Sequence, residues 1–178
     1  MSPGMCRARD AVAVMSFAVL GGCSLVLDFD KPPEPPPIDS AVTDESCMAF
    51  EPNESPATAT AITPGDYTAA ICGDGETDYY KITLDGLQTV RVTINFDNRN
   101  GQGDIDLRLL NMDGSATIDE SRTSMNEETV ECPGGIMCTG VLPANDYVVQ
   151  VLGFNAAVTS AYTLHFETAV AEIDAAVQ

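Results

Sequence analysis

Between residues 78 and 110 apolar and polar side chains alternate with a period of two, broken only by turn chemistry, which restricts this stretch to a sheet with one buried face. Tyr80, Ile82 and Leu84 share one side, and Tyr79, Lys81 and Thr83 the other. Asp85-Gly86 supplies a tight turn, because glycine holds the positive φ that a two-residue hairpin needs. Val90, Val92, Ile94 and Phe96 then alternate with Arg91, Thr93, Asn95 and Asp97. After a loop at 98–103 rich in Gly and Asn, Ile105, Leu107 and Leu109 restore the period. Three consecutive antiparallel strands are expected here. Similar runs occur at 67–72, 116–118 and 128–131, at Tyr147, Val149 and Val151 with apolar residues on both sides, and at Tyr162, Leu164 and Phe166. About eight short strands with frequent turn signals predict an all-β fold, an antiparallel β-sandwich. Only 55–61, after Pro52, offers a helical turn or two, and 170–178 reads as an acidic tail.

The formal net charge of -19 on 178 residues repels nucleic acid phosphates and anionic headgroups, which excludes binding through a basic patch. Cations and basic proteins are the natural counterparts, and the charge also keeps a secreted chain soluble.

The first 22 residues have the anatomy of a signal peptide, with Arg7 and Arg9 ahead of an apolar run at 11–20. Such a run is too short to cross a hydrocarbon layer of roughly 30 Å as a helix. Leu20-Gly21-Gly22-Cys23 resembles the lipobox of bacterial lipoproteins. That resemblance implies a lipidated Cys23 as the mature N-terminus, and Ser24 in place of Asp implies the outer membrane. One acyl chain anchors only marginally, at about 0.8 kcal/mol per buried CH₂, whereas the three chains implied would hold the protein stably. Residues 23–43 include Pro32, Pro33, Pro35, Pro36 and Pro37 and read as an extended stalk, at roughly 3 Å per residue, ahead of a domain at 44–169.

Cys47, Cys72, Cys132 and Cys138 lie beyond the signal, in an oxidising compartment, so disulfides are the expectation. Three pairings are open. Pro133-Gly134-Gly135 lets the chain reverse, which favours Cys132 with Cys138 and leaves Cys47 for Cys72. With no CxxC spacing and His165 as the one histidine, a zinc site is disfavoured.

Glu51-Pro52-Asn53-Glu54-Ser55, Ala57-Thr58-Ala59, Asp78-Tyr79-Tyr80, the DxDL run from Asp104, Asp146-Tyr147-Val148-Val149 and Tyr162-Thr163-Leu164 resemble, in order and spacing, the bacterial pre-peptidase C-terminal domain. The resemblance implies a jelly-roll-like sandwich that is not itself catalytic and usually accompanies secreted peptidases. For the relatives in bacterial collagenases it also implies a calcium site, whose matching positions here are Glu51, Asn53, Glu54, Asp74 and Asp78. Ca²⁺ takes six to eight hard oxygens, and separate loops can supply them. Two departures stand out: Ala49 occupies a position often acidic, and Glu54 one where Asp is commoner.

Enzymatic readings find less support. Asp104 and Asp106 share a strand face, as paired catalytic carboxylates would, but such pairs more often line a wet face. GxSxG is absent, and His165 falls on the predicted wet side beside Glu167. An EF-hand over 97–108 fails because Arg99 takes a ligand position and Gln102 the glycine position. The expectation is a lipid-anchored, non-catalytic envelope module, calcium-stabilised, with a protein or polysaccharide ligand outside the cell and no nucleic acid partner. An accessory subunit of a separate secreted peptidase or envelope assembly is one alternative, and a small hydrolase using the acidic residues another.

Overall fold

The structure, a computed structural model, describes residues 42–171. Helix α1 (Asp44–Cys47) is a single turn closed by a capping box: Thr43 Oγ1 accepts from Ser46 N–H at 3.1 Å, and Ser46 Oγ accepts from Thr43 N–H at 2.9 Å. The helical signal expected at 55–61 is not used; that segment turns and ends in a two-residue strand, β1 (Thr60–Ala61). Then follow β2 (Gly65–Cys72), β3 (Thr77–Leu84), β4 (Gln88–Phe96), β5 (Ile105–Asn111), β6 (Thr117–Ser121), β7 (Glu127–Cys132), β8 (Asn145–Gly153) and β9 (Thr159–Val170). β9 runs to Val170, so the segment expected as a tail begins as strand.

The strands form two sheets, β1-β3-β8-β5-β6 and β2-β9-β4-β7, antiparallel throughout except where β1 meets β3. This is the expected all-β sandwich, with one more strand than the sequence reading because β1 is so short. The three consecutive strands do not pair with each other, however. β3 lies in the first sheet against β8, β4 crosses to the second between β9 and β7, and β5 returns to the first. Asp85-Gly86 is thus part of an arch across the core instead of a hairpin turn. Alternation fixes which face of a strand is buried but not which neighbour it takes, and both sheets offer the same apolar interior.

That interior contains Tyr80, Ile82, Val92, Ile94, Leu107, Leu109, Val149, Val151, Tyr162 and Leu164, all withdrawn from solvent. The inward sets expected for β3, β4, β5 and β9 are those observed, and β8, in the middle of its sheet, is buried from Tyr147 to Val151. Both favoured disulfides form, Cys47–Cys72 and Cys132–Cys138, with Cα separations of 5.8 and 5.2 Å.

Two buried carboxylates tie loops to the frame. Glu128 accepts from the hydroxyls of Ser121 and Thr123 and from Thr123 N–H, closing the β6–β7 turn. Asp119, 1% exposed, accepts from Glu131 N–H at 3.1 Å and from Met137 N–H at 2.8 Å, clamping the 132–138 loop. An amide can accept at only one of those two places. Asp119→Asn therefore leaves a backbone donor unpaired, and we expect a loss of about 2 kcal/mol, read as a lower urea midpoint at unchanged slope.

Candidate metal centre

The site forms where the segment after α1 passes the start of β3. Cys47 is bonded to Cys72 at the end of β2, which brings 49–54 alongside; Tyr79 N–H then donates to Asn53 O at 3.0 Å, and Thr60 Oγ1 to Phe50 O at 2.8 Å. Glu51, Glu76 and Asp78 each bring a carboxylate oxygen into one group whose members all lie within 4.8 Å of one another. Each carboxylate is also held from behind. Glu51 Oε2 accepts from Asn53 N–H at 2.9 Å, Glu76 Oε2 from Cys72 N–H at 2.5 Å, and Asp78 Oδ2 from the Tyr162 hydroxyl.

Asn53, fully buried, points its amide into this group. With nitrogen inward, the amide donates to Asp78 Oδ1 and Glu51 Oε1, both at 3.2 Å. With oxygen inward, it adds a further hard donor to the carboxylates, an orientation that a cation between them or a proton on one of the carboxyls would favour. One side chain thus suits both an empty and a filled centre, and the donor set fits a hard divalent ion.

The electrostatics agree. Burial pushes Asp78 up from 3.8 to about 7, with the Tyr162 hydrogen bond pulling down and the charges of Glu76 and Glu51 adding to the rise. Glu51 is also raised, by burial first; the Asn53 N–H opposes, and Glu54 and Glu76 reinforce. The Asp78 contact continues inward, as the Tyr162 and Tyr80 hydroxyls share a hydrogen bond of 2.6 Å between the sheets. Burial, and then neighbouring groups, push both phenols above their ordinary range.

Of the residues expected from sequence, Glu51, Asn53 and Asp78 meet. Glu54 and Asp74 stand beside them, lining an open cleft with Gly73, Gly75, Glu76 and Thr77. Glu76 was not anticipated, although its place two residues before Asp78 puts it on the same side of the incipient strand. Cys23, the signal segment 1–22 and the stalk through 41 lie outside the described residues.

The other acidic pair is differently placed. Asp106 is buried with Oδ2 at 3.2 Å from Arg122 Nε, and Asp104 Oδ1 accepts from Asn98 Nδ2 at 3.4 Å. Burial and the charge of Asp106 raise Asp104. His165 is half exposed, with Nδ1 at 2.6 Å from Asp66 and Nε2 at 3.8 Å from Glu167. Both ring nitrogens face carboxylates.

No family model and no curated protein matches the chain. Among solved structures it is similar to the pre-peptidase C-terminal domain of a collagenase from Bacillus anthracis, at 14% identity over 61% of this chain and 94% of that one, TM-score 0.49. It is also similar to PliG of Aeromonas hydrophila, a periplasmic inhibitor of g-type lysozyme, at 13% identity over 61% and 96% of the two chains, TM-score 0.42. A third similarity is to the Yersinia pseudotuberculosis-derived mitogen, at 18% identity over 64% and 92%, TM-score 0.40.

Proposed function

We propose that the chain is a non-catalytic β-sandwich binding module, tethered to the cell envelope through lipid on Cys23 and stiffened by calcium at the pole where the domain begins. Glu51, Asn53, Glu76 and Asp78 hold the ion, and Glu54 and Asp74 stand at its rim. Calcium supplies a concentrated positive charge and no bond-making chemistry. The protein's part is to converge its oxygens, orient them through the Asn53, Cys72 and Tyr162 donors, and keep 49–54 against β3. The observation that carries this reading is the buried Asn53 amide aimed into three converging carboxylates.

A non-catalytic role is supported by the second acidic pair, where Arg122 already neutralises Asp106, and by the carboxylates on both sides of His165. The lipid tether rests on the lipobox resemblance and the proline-rich run behind it.

Titrating calcium against the thermal midpoint at pH 7.5 tests the metal. At about a hundredfold excess over the dissociation constant, an ion that binds only the folded chain adds about 2.7 kcal/mol. The midpoint should rise in the parent chain and stay level in Asp78→Asn. A level response of the parent across millimolar calcium would overturn the metal assignment.

A further inference from the structure

The loop between Cys132 and Cys138 is built with more constraint than its length requires. The disulfide closes it, Gly134 N–H donates to Cys138 O at 3.1 Å, and Gly135 N–H donates to Glu131 O at 2.9 Å. Asp119 reaches in from β6 to take Met137 N–H. Gly134 has φ 124, and a Cβ on Gly135 would collide with the Asp119 carboxylate, so both glycines are needed for this shape. What the frame presents is apolar: Ile136 is 86% exposed and Met137 52%. Leu87 and Val170, also exposed, end at the same pole, because Gln88 pairs with Val170 and with Leu142 just beyond the loop. This pole is opposite the candidate metal centre, since β3 and β9 each run from one to the other.

Charge defines what can meet it. The cations of the described residues are Lys81, Arg91, Arg99, Arg108 and Arg122, and each already lies within 4 Å of a carboxylate. Asp85 and Asp113, in the turns at the loop's pole, are exposed, and hydrogen bonds from Ser115 hold Asp113 below the usual carboxylate range. A second copy of a chain of net charge -19 would bring the same field, and an anionic lipid surface likewise repels it.

We propose that the 132–138 loop is a preorganised docking finger, which inserts Ile136, with Met137 beside it, into an apolar pocket of a partner protein whose rim is basic. Closure by the disulfide and Asp119 removes the ordering cost that a free loop would pay on binding. The desolvated Ile136 supplies affinity, and the surrounding carboxylates guide approach.

The test places a photo-crosslinking residue at Thr139 of the full chain, in envelopes of the source cell, leaving Ile136 intact. The protein captured is then purified and titrated against the purified chain. Support requires at least a tenfold weaker dissociation constant for Ile136→Asp, little change for Phe154→Asp at the other pole, and weakening in high salt. In the full chain, replacing both Cys132 and Cys138 by serine should weaken binding while the domain stays folded, and unchanged affinity would overturn the preorganisation. Thermal melts establish that each variant is folded as the parent is. Absence of an adduct, an adduct indifferent to Ile136→Asp, an adduct with a second copy of the chain, or Ile136-dependent retention on phosphatidylcholine vesicles would each overturn the proposal.

Discussion

In the presence of chelator, the thermal midpoint should fall as pH rises from about 4 to about 7, and on the proposed function millimolar calcium should remove most of that fall at the upper end. The cause is Asp78, whose pKa burial raises from 3.8 to about 7. Between those values the folded chain keeps a proton that the unfolded chain has released. The stability tied to that proton is complete below the unfolded value and is lost as pH climbs through the folded one. Each unit of displacement is worth about 1.4 kcal/mol, so the total approaches about 4 kcal/mol. Glu51 moves the same way and adds to the slope. On the proposed function calcium would compete with these protons, since only ionised carboxylates bind it. Its stabilisation should therefore be largest above pH 7 and vanish toward pH 4. Asp78→Asn removes the largest part of the titration, so the chelated protein should keep only the shallower fall due to Glu51 and Asp104 and lose its calcium response. A slope unaltered by that substitution would place the proton elsewhere.

Replacing Cys47 and Cys72 together by alanine should cost about 3–4 kcal/mol, the loop-closure entropy for a separation of 25 residues. The same exchange at Cys132 and Cys138, separated by 6, should cost nearer 2 kcal/mol. The two also differ in kind. The first bond positions 49–54, so its loss should weaken the calcium response as well as stability; the second should leave that response unchanged. Urea unfolding with and without calcium separates these effects. Equal calcium responses in both double variants would detach the disulfide from the candidate centre.

How much of this was legible in the sequence varies with the physics. A period of two names the inward side chains of β3, β4, β5 and β9, because burial acts on each strand by itself. It does not name partners, which is why the 78–110 stretch reads as a meander yet divides between two sheets. Glu51, Asn53 and Asp78 were found because their segments carry short motifs. Glu76 has no motif of its own and joins them only once Cys72 N–H fixes its carboxylate. Asp119 was equally hidden. Its strand is recognisable, but its role depends on a loop that the disulfide folds back over it.

The Cys47–Cys72 bond also determines how a mechanical load would enter the domain. A pull on the chain ahead of Asp44 travels through one turn of helix to Cys47 and then through sulfur into the end of β2, which is zipped along its full length to β9. Residues 48–64, ahead of β2, lie off that path, so Glu51 and Asn53 can keep their positions under such a load.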